Sequence, residues 1–254
     1  MFEPVNSLEK SLMSVATNTS SRPQFYRDLL EANIFVIQYG KSNLNIQNNV
    51  LQEGTELKIQ HIERDGAAWL PIFSSLERLQ QFVRSESNYL QFRAKDFFEI
   101  TRGAHVILNP NFEYGKEFVP QEIAGMLDGS IFKPSQTYVA KKETKVLIGQ
   151  PANYPHKLVK ALSEYFAKSK FVNRAYLVWF HNPDSGEKPN LLISIDVSDN
   201  SEKVFGDAGM IGSEVMGKGE MIDFIRLDNS GFSQHIVNST KPFYQKSFLK
   251  NIFG

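Results

Sequence analysis

Residues 114–123, "YGKEFVPQEI", bring a glycine, a lysine–glutamate pair, an aromatic ring and a proline into ten positions. Two uses fit that mixture. As a binding loop it would present Lys116 and Glu117 to a partner, with Phe118 as the anchor. As a strand-to-helix connection, Gly115 would make the turn, Phe118 would enter the core, and Lys116 and Glu117 would be a solvent-facing pair. The chemistry found elsewhere is sparse. Gly212-Ser213-Glu214-Val215-Met216-Gly217-Lys218-Gly219 falls one residue short of a phosphate-binding loop, because Gly219 stands where the magnesium-holding hydroxyl belongs. The run also follows a helical pattern and precedes a strand, the reverse of strand–loop–helix. The five histidines, at 61, 105, 156, 181 and 235, never pair at zinc-ligand spacing, and there is no cysteine. No Gly-x-Ser-x-Gly elbow occurs, and the carboxylates are too scattered to single out an acid–base pair. The expectation is no cofactor, no metal and no catalytic residue.

Two surfaces remain as candidates for contact with a partner. Lys157, Lys160, Lys168 and Lys170, with Arg174 beyond, make a basic stripe interrupted by Glu164; this reads as a solvated outer face. The end of the chain, "KPFYQKSFLKNIFG", carries Phe243, Tyr244, Phe248, Leu249, Ile252 and Phe253, too apolar for a free end. It either docks on the body or engages a partner.

The elements that must position these residues follow from periodicity. The 254 residues suffice for one large or two ordinary domains, and 20 Phe, 9 Tyr and 2 Trp can fill real cores. Net charge is zero, with 15 basic against 16 acidic residues up to Lys142 and 13 against 12 after it. Nucleic acid is therefore not an expected partner. The longest apolar runs, "AYLVWF" and "LLISI", are too short to cross a bilayer. The start lacks a basic segment followed by an apolar one, so the cytoplasm is the expected compartment.

In the first half, helices are expected at 7–16 (with an Asn6/Glu9 capping box), after "SSRP", after Ser74 (with Glu77 as its capping partner), and at "PQEIAGML". "NIFVIQ", "ELKIQHIE", "AAWLPIF", "NYLQFR" and "AHVILN" read as strands, Asp65-Gly66 as a hairpin turn and "GKSNLNIQNN" as a loop. The second half reads βαββαβα, compatible with a ferredoxin-like sandwich. The fold class is α+β in two domains, 1–142 and 143–254, dividing between Val139 and Ala152.

In this order the pieces resemble the bacterial enhanced-serine-sensitivity family, SseB. The resemblance is carried by "RPQFYRDLLEANIFV", "LPIFSSLERLQQFV", "FEITRGAHVILNPNFEYGKEFVPQEI", "NRAYLVWF" with "PNLLISID", and "GFSQHIVNSTKPFYQ". It implies separate N-terminal and C-terminal SseB domains and, through the family's name, a link to serine and amino-acid metabolism. No catalytic motif defines the family, so no active residue carries over. The expected function is that of a non-enzymatic adaptor or regulator acting on an unidentified protein partner. Lys116, Glu117, Phe118, Phe243, Tyr244 and Phe248 are the contact candidates. The alternatives are an immunity protein that neutralises a toxin, by fold analogy alone, and a small-molecule sensor or enzyme with a pocket between the domains. The residues do not set an oligomeric state.

Overall fold

A computed structural model describes residues 2–40, 46–47, 50–51, 54–83, 85–133, 146–184, 186, 188–217 and 222–247. The chain is α+β and divides into two compact units. One comprises Met1–Thr17 and Gln24–Ser130; the other comprises Asn18–Pro23 and Ile131–Gly254. The expected dividing point, 142/143, lies outside the described residues.

The first unit opens with α1 (Ser7–Thr17). Asn6 Oδ1 accepts from the Glu9 N–H at 2.9 Å, and the Glu9 carboxylate accepts from Val5 N–H at 3.0 Å, so the capping pair of the sequence is present. After a 3-10 turn at Thr19–Ser21, which belongs to the second unit, come α2 (Arg22–Glu31) and β1 (Asn33–Ile37). The stretch expected to be a loop contains a short strand, β2 (Ile46–Gln47), paired with β3 (Val50–Leu51). Its other residues beyond Gly40 lie outside the described set.

β4 (Ile62–Arg64) and β5 (Ala67–Phe73) form the expected hairpin. Asp65 and Gly66 supply the two positive φ angles, 52° and 75°, that a tight two-residue turn needs. The "ELKIQHIE" strand is shorter than its alternation suggests. Only 62–64 face a partner on β5, and Ile59 makes an isolated bridge to Gln38.

α3 (Leu76–Val83), β6 (Tyr89–Arg93), α4 (Ala94–Ile100), β7 (His105–Leu108), β8 (Lys116–Phe118) and α5 (Pro120–Leu127) complete the unit, with a 3-10 turn at Ser130–Phe132 beyond it. The sheet order is β6-β1-β5-β7-β8, with β4 beside β5. Alternation along β1 sends Ile34 and Val36 to one face and Phe35 and Ile37 to the other. On the second face Ile37, Phe73 and Leu79 form a core completed by Phe35, Phe82, Val83 and Phe112. On the first, Phe25 of α2, Phe98 of α4 and Phe118 of β8 meet at centroid distances of 6.0–6.5 Å.

The second unit contains β9 (Leu147–Gly149), α6 (His156–Lys168), β10 (Val172–His181), β11 (Asn190–Val197), α7 (Ser201–Met216), β12 (Ile222–Arg226), α8 (Gly231–Ser239) and β13 (Tyr244–Gln245). Element order follows the expected βαββαβα and adds a final strand, β13, but the sheet is not ferredoxin-like. It runs β12-β11-β10, with β9 and β13 sharing the far edge of β10. β11 and β12 are direct parallel neighbours, so no strand splits that βαβ unit. The ten-residue β10 decides this: it is long enough to pair with β13 at Arg174–Ala175 and with β9 at Trp179–His181. α6 and α7 cover one face through Leu158, Leu162, Phe166, Val204, Ala208 and Ile211. α8 covers the other through Ile236 and Phe232.

Candidate functional site

Parallel pairing of β5 with β7, in register Ile72 with Leu108, sets the ends of the two strands side by side. Ser74 and Asn109 follow those ends directly. Crevices at the carboxyl ends of parallel strands are where open α/β sheets take ligands. Here the position is filled by the chain's own Glu9, delivered by α1. Its carboxylate is fully buried and accepts from Ser74 Oγ at 2.6 Å, Arg78 Nε at 3.1 Å, Arg78 Nη2 at 2.9 Å and the Val5 N–H.

Asn109, in left-handed backbone at φ 49°, accepts from the Ser74 N–H at 2.9 Å and donates its Nδ2–H to Ser74 Oγ at 2.8 Å. The Phe2 ring lies 3.9 Å from the Arg78 guanidinium carbon, and Arg78 also donates to the Glu3 carbonyl. Burial works to raise the Glu9 pKa. The hydrogen bonds from Arg78, Ser74 and Val5, with the Arg78 charge, outweigh it and hold the carboxyl below its ordinary range. Ser74 is therefore not the cap of α3. Ser75 is, its Oγ accepting from the Arg78 N–H at 3.3 Å.

The stretch 114–123 is a strand and a helix start rather than a loop. The turn lies upstream, where Asn109 and Asn111 take positive φ. Gly115 serves a close approach: a Cβ there would sit 2.7 Å from the Leu108 carbonyl oxygen and 2.8 Å from that of Asn109. Lys116 and Glu117 cannot both face water, because consecutive strand residues point to opposite faces. Lys116 shares the inner side with fully buried Phe118. Its Nζ pairs with Glu122 at 3.0 Å and lies 4.9 Å from the Phe118 ring centroid. Glu122 also accepts from the Tyr26 hydroxyl. Glu117, on the outer side, pairs with Arg64 at 2.6 Å.

In the second unit the start of the apolar tail adds a strand to the sheet. Phe243 and Tyr244 pack on Phe166 at 6.2 and 5.5 Å, and the Tyr244 hydroxyl donates to the Phe166 carbonyl at 3.1 Å. Phe248 lies outside the described residues, as do Leu249, Ile252 and Phe253. Lys157, Lys160, Lys168 and Lys170 are exposed, whereas Arg174 pairs across the strands with Asp196 at 3.1 Å. The fully buried Asp207 accepts from Tyr165 at 2.8 Å and pairs with Lys203 at 2.6 Å. Exposed Asp228 accepts from Ser230 and Ser233 ahead of α8, which lowers its pKa to about 2.

Gly212 to Met216 of the near-phosphate run are helical, and Lys218 and Gly219 lie outside the described residues. Among the described residues no group of three or more His, Asp or Glu is placed to hold a metal ion. Nor, among them, is any helix long and apolar enough to cross a membrane. Sequence reasoning missed the Glu9–Ser74–Arg78–Asn109 network. Its one local signal was Glu9 in the capping box.

Fold and site together define a two-domain α+β protein whose first domain seals its strand-end crevice with an internal ion pair. Residues 8–125 match the model of the SseB protein N-terminal domain, and residues 140–246 that of the SseB protein C-terminal domain. The chain is 30% identical over 250 residues to Protein SseB of Escherichia coli (strain K12), covering 97% of this chain and 94% of the relative. The same figures hold for Protein SseB of Shigella flexneri. The chain belongs to the SseB family. A solved structure, the sex pheromone staph-cAM373 precursor, aligns over 90% of this chain and 91% of its own at 10% identity. Its TM-score is 0.17, and no shared fold follows from it.

Proposed function

We propose that this SseB-family protein is a non-enzymatic regulatory adaptor that works through contacts with another protein, in the setting of amino-acid metabolism that the family's serine-sensitivity name suggests. The observation that carries the reading is the filled crevice at the ends of β5 and β7. The carboxylate there spends its acceptor capacity on Arg78, Ser74 and Val5, an arrangement that fastens α1 to the sheet rather than one that presents a base to a substrate. Asp207 is used likewise, between Tyr165 and Lys203. Large apolar side chains meanwhile stand exposed on the first unit, Tyr39, Ile100 and Val119 among them. They offer contact area of the kind that protein interfaces use.

The test is in-cell crosslinking in the native host, followed by reconstitution with the purified candidate partner. Saturable one-to-one binding by titration calorimetry is expected. The reading is overturned if no protein binds while a metabolite screen finds turnover, or a small molecule that raises the melting temperature in a saturable way.

A further inference from the structure

Strand β6 ends the six-stranded sheet of the first unit. Its bonds to β1 come from even-numbered positions: the Ala94 N–H donates to the Ala32 carbonyl, and the Asn88 carbonyl accepts from the Gln38 N–H, both at 2.9 Å. Bonding alternates along an antiparallel pair. In the register Ile34 with Phe92 and Val36 with Leu90, the even residues of β6 therefore face β1. The backbone N–H and C=O groups of Tyr89, Gln91 and Arg93 point outward, and among the described residues none has a hydrogen-bond partner. All three residues are exposed, Tyr89 to 44%.

We propose that this edge pairs antiparallel with β6 of a second copy of the chain, about a two-fold axis at Gln91. A two-fold axis normal to a continuous sheet preserves faces, so a residue must oppose its own copy at the centre. With Gln91 there, Tyr89 opposes Arg93 of the second copy and Leu90 opposes Phe92. Both pairings are favourable. Leu90 and Phe92 are half-buried on the face that carries Ile34 and Val36, and joining them to their copies extends that apolar layer. On the other face the Tyr89 ring meets a guanidinium. Arg93 is already ion-paired with Glu31, so no uncompensated charge reaches the seam. The outward backbone groups of 89, 91 and 93 are those this register consumes, six hydrogen bonds in all by the alternation rule, or about two per opposed pair.

The other five-residue edge fails the same test. A two-fold axis at Phe224 of β12 would set Ile222 against Arg226 and Asp223 against Ile225. β8 offers three residues and runs into Pro120. Self-complementarity thus singles out β6.

The cysteine-free chain makes the test clean. Gln91→Cys would bring its two copies to about 5.5 Å between Cα atoms, inside the range of about 4.4–6.8 Å that a disulfide spans. Arg93→Cys would leave its copies about four residues apart along the strands, roughly 13 Å, out of reach. Mild oxidation is expected to yield covalent dimer from Gln91→Cys and none from Arg93→Cys. Sedimentation over a concentration series should show a monomer–dimer equilibrium for the wild-type chain. Gln91→Pro should abolish that equilibrium with the far-UV spectrum unchanged, since the proline removes only an outward N–H. The proposal is overturned by a wild-type chain that is monomeric throughout the series, by a dimer that survives Gln91→Pro, or by equal crosslinking of the two cysteine variants. Should Gln91→Pro unfold the chain, the cysteine pair alone decides.

Discussion

Four side chains drawn from distant parts of the chain depend on one another at Glu9, and the consequences can be measured singly. Arg78→Ala leaves a buried carboxylate without its counter-ion, and a loss of about 3–5 kcal/mol is expected in chemical denaturation. Replacing both ions at once, Glu9→Leu with Arg78→Met, removes the charge together with its desolvation penalty. That double variant should lose less than Arg78→Ala alone. The pH dependence has a definite sign. The folded pKa of Glu9 lies below its unfolded value, so its contribution is full above the ordinary carboxylate range. It is lost as pH falls through the folded pKa. Glu9→Gln should flatten the acid limb of a stability–pH curve, and an acid limb unchanged in that variant would show that Glu9 does not carry it. None of this was legible in the sequence beyond the capping box. Ser74 lies 65 residues from Glu9, Arg78 69, and Asn109 35 from Ser74. The parallel pairing of β5 with β7 sets Ser74 beside Asn109, and the placement of α1 and α3 at those strand ends adds Glu9 and Arg78.

At the scale of elements, β8 shows what local pattern can and cannot reveal. Three residues of strand between a glycine and a proline carry little propensity, and two adjacent charges read as surface. Alternation resolves the pair, but only once a strand is known to be there. Phe118→Ala should cost about 3–5 kcal/mol, because the ring fills a site between Phe25 and Phe98. Gly115→Ala should cost about 1–3 kcal/mol, since its Cβ would press on two backbone carbonyls that cannot swing away. Exchanging Lys116 with Glu117 would set like charges beside Glu122 and Arg64 and should cost about 1 kcal/mol, small because both pairs are partly solvated. A melting curve for Phe118→Ala that matches the wild type would contradict the buried placement. α7 makes the opposite point. A helix at this place follows from the expected βαββαβα order, although its glycines argue against helix. Two of them serve packing: a Cβ on Gly206 would lie 1.7 Å from the Phe132 carbonyl oxygen, and one on Gly212 3.1 Å from Ile222. The strand order of the second sheet was not readable, because periodicity names the elements without saying which edge each one joins.

For the whole molecule, the discontinuity of the second unit matters more than the position of any linker. Its sequence runs from Ile131 onward, yet it also includes Asn18–Pro23. That segment is shaped locally: Asn18 Oδ1 accepts from the Ser20 N–H at 2.9 Å, and the 3-10 turn it caps packs on α6 and α7. Arg22 adds an ion pair with Glu214 near the end of α7. A fragment of residues 131–254 keeps the β10–β11–β12 sheet and both its helical layers, so it should fold with a cooperative thermal transition. Without the segment it loses the packing of the 3-10 turn on α6 and α7, so it should melt below the same unit in the full chain. In the full chain, Arg22→Ala removes this charged side chain and leaves the 3-10 turn in place. Glu214 is well exposed, so a loss of no more than about 1 kcal/mol is expected. Most of the fragment's deficit would then come from lost packing rather than lost charge. Differential scanning calorimetry of the full chain, the fragment and Arg22→Ala separates the two contributions. A fragment that melts as the full chain does would show that Asn18–Pro23 contributes nothing to the second unit, and one with no transition would show that this unit cannot fold without it.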